Sequence, residues 1–503
     1  MAGSRCPANI CAVNRNPAPS VADIVFLVIA PLTAITRTIK LTHSDGDLAA
    51  HLRMGKLIVG SGIIPDKSVA SITAANEPMV AHAWLSEVIF ASLFSIGGLA
   101  AISVVTGILV GGTHGAIALF LRRKGVDARW ALAAAFVSLA IASTHWLSRP
   151  HMFSITGVAF TIMLLESARR RRILLFAALF LLWANLHGGW IYGLMLIALY
   201  AAGCGVEAVF AREQKNEWRD RARSSAIALL VSAAATLINP FGLDLHREVL
   251  AGATSSELAR QMAEFLPPDF QSAAALPFLI GLLLSITLLA LTPRRMSAPH
   301  LFITAVSLFF ALRSFRNMAL FGVSAWPLIA LHVSRFWPER GRRFKWFGEI
   351  ARLDATTRPG LYAVPVAIIL LVIGLNGGAI GSTQVIRRSF SPARFPVTAI
   401  EKARAARLDG PIFEAWEWGG YIMYAWPEAR LIVDPLKFND ATIQAFSRID
   451  AVRPDWKDEL QKWNVRTVIV KPDSRLASAL AKEPAWKVWY QDSTATVFRP
   501  ATH

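Results

Sequence analysis

The sequence predicts a mainly α fold, a polytopic membrane helical bundle of about eleven spans with a small soluble α/β domain at its carboxy end. Three observations carry this. The 503 residues are 54% hydrophobic and only 17% charged, with a mean hydropathy of +0.44, whereas a soluble chain of this length is about a quarter charged. The apolar residues arrive in blocks of roughly 15–22, the length that crosses ~30 Å of hydrocarbon. From about residue 390 onward charges rise and short β-like runs replace the blocks.

Candidate spans fall near 20–36, 100–121, 130–146, 152–168, 173–187, 190–210, 224–239, 274–292, 299–312, 317–334 and 361–380. Cleavage after the first is not expected, because Val21 to Ile35 runs on without a small-x-small exit. Val80 to Gly97 is also apolar, and loop charge decides its place. Lys and Arg in short loops mark the cytoplasmic side. With 80–97 lying in the interface, one side collects Arg122-Arg123-Lys124, Arg169 to Arg172, Arg212 to Arg223, Arg294-Arg295 and Arg335 to Arg358. The other keeps Arg149, Arg247, Arg260, Arg313 and Arg316. Counting 80–97 as a span inverts every later loop. The expected organisation is therefore a membrane domain over 1–381 with a long first outer loop (37–99), then an outer α/β domain over 382–503.

The net charge of +18 would suit nucleic acid, but the basic residues stand in short clusters between apolar blocks, which excludes that class of partner. Cys6, Cys11 and Cys204 have no metal-site spacing, and a structural disulfide is not expected of them.

This topology gathers the unusual polar residues on one face. The first outer loop carries His43-Ser44-Asp45-Gly46-Asp47, with His51 four residues after Asp47 and on the same face of a helix beginning there. Two carboxylates two apart suit a divalent cation or a general base; an N-cap accounts for an aspartate there equally well. His82, before Trp84, suits an anionic ligand or a structural role. Arg149, in Ser148-Arg149-Pro150-His151, either snorkels to headgroups or clamps a phosphate with its guanidinium fork. Asn185 and His187 precede Gly188-Gly189, where a ligand can approach the backbone or the chain simply turns. Arg313 and Arg316, three apart in an apolar stretch, are expected to share a helix face and to join Arg149 in an anion site. Glu264 flanks Pro267-Pro268 on the same side.

In the tail, strands are expected at 411–413, 430–434, 467–470, 486–490 and 495–498, and helices at 397–408 and 456–463. Glu417-Trp418-Gly419-Gly420-Tyr421 and Asp434-Pro435 sit at element ends, where ligands often bind. Neither GxGxxG nor a P-loop occurs, so no nucleotide site is inferred.

Taken together, the Asp-x-Asp after the first span, the long first outer loop, the Arg-Pro-His and Asn-Leu-His-Gly-Gly turns and the tail with Trp-Gly-Gly-Tyr and Leu-Ile-Val-Asp resemble the GT-C superfamily of polytopic glycosyltransferases. The resemblance covers most of the chain through short motifs. It implies a bacterial inner-membrane enzyme that passes a sugar from a polyprenyl-phosphate carrier to a glycan, lipid or protein acceptor, and the loop charges set its amino terminus in the cytoplasm and its tail in the periplasm. By the same resemblance, Asp45 or Asp47 is the catalytic base or holds a metal such as Mg or Mn, and Arg149, Arg313 or Arg316 holds the lipid phosphate. His51, His82, His151, Asn185, His187 and Glu264 complete the substrate-binding set. A flippase of lipid-linked substrates and a non-catalytic envelope assembly protein are the alternatives; no internal repeat, the mark of many transporters, stands out.

Overall fold

The computed structural model describes residues 18–36, 42, 45–75, 77–167, 171–210, 214–254, 263–336, 354, 357–437 and 439–501. Expectations that fall on Cys6, Cys11, His43, Ser44, Arg169, Arg170, Arg212, Arg260 and most of the Arg335–Arg358 block lie outside the described residues.

A helix occupies each candidate span: α1 (Val21–Thr36), α3 (Trp84–Arg123), α4 (Ala128–Ala142), α5 (His151–Leu165), α6 (Arg172–Leu186), α7 (Trp190–Phe210), α8 (Lys215–Thr236), α10 (Leu276–Ala290), α11 (Ala298–Arg313), α12 (Met318–Ser334) and α13 (Ala363–Leu375). Two further helices, α2 (Gly46–Ser61) and α9 (Leu243–Thr254), lie in connections. The expected count of about eleven full spans is corrected. Among the described residues three helices are long and apolar enough to cross a membrane, within Trp84–Arg123, Trp190–Phe210 and Phe315–Ser334, and seven shorter apolar helices accompany them. At 1.5 Å per residue the 16 residues of α1 reach ~24 Å, short of a ~30 Å core.

The expected boundary between 80–97 and 100–121 falls at Gly98: Trp84–Arg123, here α3, is two helical segments parted there, where a φ of 63° and a ψ of −154° are non-helical. Only glycine adopts that conformation readily. It turns the first part of α3 off the axis of the second, and the Leu99 amide bonds the Arg388 carbonyl at 3.1 Å instead of continuing the helix. Further along, Gly107 and Gly111 let α1 approach closely: a Cβ at either would stand 2.6 and 2.8 Å from atoms of Ala30. Small residues four apart serve this purpose in membrane bundles.

The polar connections sort to two ends of the bundle. At one end Arg122 pairs with Asp354 at 2.5 Å, Lys124 with Glu166 at 3.3 Å and Arg295 with Glu207 at 2.8 Å. The other end carries the loops expected to share a cavity, and with them the carboxy-terminal domain.

That domain is α/β, as expected. Strands β3 (Pro411–Glu414), β4 (Arg430–Leu431), β5 (Thr467–Val470), β6 (Trp486–Gln491) and β7 (Thr496–Pro500) form one sheet in the order β4-β3-β5-β7-β6. The pairs β3/β4 and β3/β5 are parallel, and β5/β7 and β6/β7 antiparallel; β1 (Ala379–Ile380) and β2 (Thr383–Gln384) make a separate hairpin. Helices α14 (Val397–Ala405), α15 (Gly419–Ala425), α16 (Asp440–Asp450), α17 (Trp456–Lys462) and α18 (Arg475–Leu480) complete it. The first long loop adds to the β4 edge through a parallel bridge between Ser71 and Leu431, with Ile72 N to Leu431 O and Leu431 N to Ala70 O both at 2.9 Å. Covering an edge in this way satisfies backbone groups that would otherwise be unpaired.

Candidate functional site

Asp45 is the N-cap of α2, its Oδ1 accepting from the amides of Asp47 and Leu48 at 3.1 and 3.4 Å. The capping role weighed from sequence is therefore real, but it is not the whole role. Arg149 Nε reaches Asp45 Oδ1 and Oδ2 at 3.0 and 2.8 Å, and an Arg149 terminal nitrogen reaches Asp47 Oδ2 at 2.5 Å. One guanidinium thus joins both aspartates of the motif. The Asp45 side chain is 3% exposed and that of Asp47 45%, so only Asp47 presents a carboxylate to solvent.

Gly46 between them is fixed by the tail domain. A Cβ there would lie 2.3 Å from Glu417 O, and one at Gly420 would lie 2.1 Å from Gly46 O. The Asp-Gly-Asp and Trp-Gly-Gly motifs, far apart in sequence, are two sides of one backbone contact. Trp418 is anchored by Nε1 donating to Arg394 O at 2.9 Å.

Glu264 links a second guanidinium to the group, standing 3.9 Å from Arg149 and 3.5 Å from Arg316. Arg316 also covers the Phe265 ring at 4.6 Å. The expected shared helix face of Arg313 and Arg316 is corrected. Ser314 is extended (φ −150°, ψ 128°), so Arg313 ends α11 while Arg316 belongs to the next turn. Arg313 is exposed, with no ion pair among the described residues.

Behind the guanidinium groups lies a row of imidazoles. His145 stacks on His151 with ring centres 4.1 Å apart; His151 meets His187 at 6.4 Å, and His187 meets His82 at 6.0 Å. Trp183 Nε1 donates to Ser154 Oγ at 2.8 Å, and Ser154 stands 2.7 Å from His187 Nδ1, which also accepts from Gly189 N at 3.1 Å. A backbone amide only donates, so the Gly189 contact makes Nδ1 an acceptor; Ser154 therefore gives its proton to His187, and the neutral ring carries its own on Nε2. His145 and His187 both lie in turns beyond the ends of α4 and α6. Burial first, then the neighbouring histidines and Arg316, hold His187 well below its ordinary pKa; burial, then Arg316 and Arg149, do the same to His145. Both rings are neutral at pH 7. Burial alone would lower Arg149, but Asp45 and Asp47 outweigh it and raise it above the usual range.

Asn185 has a supporting place. Its Oδ1 accepts from Trp84 Nε1 at 3.0 Å, and its Nδ2 donates to Leu181 O and Ile238 O at 2.8 and 2.9 Å. These bonds tie the start of α3 to the 185–189 turn. His51 bonds Glu87 at 3.0 Å. Sequence reasoning singled out neither Glu87 nor His145; the available signals were an acid inside an apolar helical run and a histidine six residues before His151.

The donor set does not fit a divalent cation. A guanidinium occupies the place between the two carboxylates, and among the described residues no group of three or more His, Cys, Asp or Glu could hold a metal ion.

No family model matches the chain, and no curated protein matches it. Solved structures do. The chain is similar to the archaeal oligosaccharyltransferase AglB from Archaeoglobus fulgidus in complex with an inhibitory peptide and a dolichol-phosphate (TM-score 0.51, 14% identity, 90% of this chain and 69% of that one). It is similar to ArnT from Cupriavidus metallidurans in the apo state (0.50, 13%, 94% and 97%) and to the arabinofuranosyltransferase AftD from Mycobacteria (0.54, 12%, 96% and 40%). The chain thus spans well under half of AftD. At these identities the likeness is one of fold alone.

Proposed function

We propose that this chain, which has the GT-C fold, is a membrane glycosyltransferase moving a sugar from a polyprenyl-phosphate carrier to an acceptor on the outer face of a bacterial inner membrane. The observation that carries the reading is the joining of Asp45, Asp47 and Glu264 by Arg149 and Arg316 at the end of the bundle where the tail domain docks. When the sugar–phosphate bond breaks, charge develops on the phosphate, and cationic donors held in a water-poor site stabilise it. Arg149 offers a planar fork that matches phosphate oxygens. Its contact with Glu264, at 3.9 Å, is the weakest and the one an arriving phosphate displaces. Asp45, buried and doubly bonded, positions Arg149; Asp47, half exposed, meets the acceptor hydroxyl. AglB was solved with a dolichol-phosphate, which supports a lipid phosphate as the ligand class.

Transfer from a polyprenyl-phosphate sugar in proteoliposomes tests this. Arg149→Ala lowers kcat by about 10²–10³, the usual effect of removing an oxyanion-stabilising donor. Carrier movement without sugar transfer would favour a flippase instead. Cysteine labelling near residue 440 tests orientation: access from the cytoplasm alone refutes the outer placement.

A further inference from the structure

The reaction proposed above releases a proton from the acceptor hydroxyl, and the two aspartates are badly placed to take it. Arg149 engages both oxygens of Asp45 and one of Asp47, so an acceptor hydroxyl would have to share those oxygens with a guanidinium. One turn further along α2, on the face of Asp47, is His51. Its Nδ1 lies 3.0 Å from Glu87 Oε1, with the Glu87 side chain 4% exposed. The other oxygen, Oε2, is sealed from solvent and has no hydrogen-bond partner. A carboxylate accepts only, so His51 carries its proton on Nδ1 and leaves the Nε2 lone pair available. Nε2 has no hydrogen bond among the described residues, and the His51 side chain keeps 14% exposure.

The fold brings these groups together at a specific contact. Gly55, one turn past His51, lies directly against α3, where a Cβ would stand 1.9 Å from Glu87 O. The start of α3 is in turn held by Ser86 Oγ donating to Leu186 O at 2.6 Å and by the Trp84–Asn185 bond. Glu87 therefore cannot drift from His51 without moving two helices. His51 is near enough to His82 and His187 for its charge to act on both, which sets it beside the imidazole row rather than outside the site.

We propose that His51 is the general base of the transfer and Glu87 the residue that positions it. The acceptor O–H gives its proton to His51 Nε2 as the acceptor oxygen bonds the anomeric carbon. The anomeric carbon–oxygen bond to phosphate breaks, and its electron pair stays on the phosphate oxygen, opposite Arg149 and Arg316. The imidazolium so formed is paired with Glu87 until it returns the proton to water. The proposal rests on the glycosyl-transfer reading and replaces the aspartates as the expected base.

The test compares wild type, His51→Ala, His51→Gln, Glu87→Gln and the Ala/Gln double variant, all full-length in proteoliposomes with a polyprenyl-phosphate sugar. His51→Ala and His51→Gln should each lose about 10²–10⁴-fold in kcat, the range for a general base, with the donor KM unchanged. Added imidazole should restore part of the His51→Ala rate. Glu87→Gln should lower kcat in wild type but add nothing once His51 is gone, because the two act as one unit. Retention of kcat in both His51 variants, no rescue by imidazole, or multiplicative effects of the two substitutions would each overturn the dyad while leaving the transferase reading intact. A wild type that transfers no sugar overturns both.

Discussion

Replacing Asp45 by Asn and by Ala separates the two jobs the structure gives it. As N-cap its Oδ1 holds the Asp47 and Leu48 amides; as counter-ion its two oxygens hold Arg149. Asn caps a helix about as well as Asp, so Asp45→Asn keeps the first job. It spoils the second, since the Asn amide nitrogen would face Arg149 Nε where Oδ2 now stands at 2.8 Å. Hydrogen bonds to a charged partner are worth about 1.5–3 kcal/mol. The cost stays near that range and below the ~3–5 kcal/mol of a buried ion left wholly alone, because Arg149 keeps Asp47 and Glu264. Asp45→Ala loses the cap as well, typically a further ~1 kcal/mol. Thermal unfolding in detergent should therefore rank wild type above Asp45→Asn and Asp45→Asn above Asp45→Ala, with the first gap the larger. Both variants should also lose transfer rate, because Arg149 is no longer aimed. Equal melting temperatures for the two variants would refute the capping role, and Asp45→Asn melting with wild type would refute the buried pair.

Three further outcomes follow from the same geometry. Arg316→Ala should weaken inhibition by a polyprenyl phosphate without unfolding the protein, since Arg316 meets Glu264 at a loose 3.5 Å; unchanged inhibition removes Arg316 from the site. Gly420→Ala sets a methyl 2.1 Å from Gly46 O and should cost ~1–3 kcal/mol by overpacking, read as faster proteolysis between the bundle and the tail domain. Glu414, fully buried on β3, is held well above its ordinary carboxyl pKa of 4.5 by burial, with Asp434 adding to the shift. A raised folded pKa contributes stability that is present below the unfolded value and lost as pH rises toward the folded one. Melting temperature should accordingly fall as pH rises from about 4.5 toward neutrality, and Glu414→Gln should flatten that fall; an unchanged slope refutes it.

The helices and the tail domain were legible because their signals are local. Apolar blocks reported α1 and α4 to α7, and alternating runs reported β3, β5, β6 and β7, each close to its observed bounds. By contrast, α8 starts at Lys215, well before its apolar block at 224–239, because its first turns are charged. The loop-charge pattern also sorted the connections into two ends, which is why Asp45, Arg149, His187 and Glu264 were expected together. What local signals could not report was length against a membrane. Short apolar helices read as full spans.

Alone, the sequence determined the mainly helical fold class with its small sheet domain and the end of the bundle where Asp45, Arg149, His187 and Glu264 gather, because hydropathy and charge act residue by residue against water and lipid. Only the tertiary structure decided how those residues are used. It turned Arg149 onto both aspartates, parted Arg313 from Arg316 at an extended Ser314, committed the Asn185 amide to three bonds and set Glu87 against His51. It also closed the Gly46–Gly420 contact across more than 370 positions. Each of these depends on a backbone approach or a side-chain partner remote in the chain, and pair energies of that kind leave no periodic trace in one sequence.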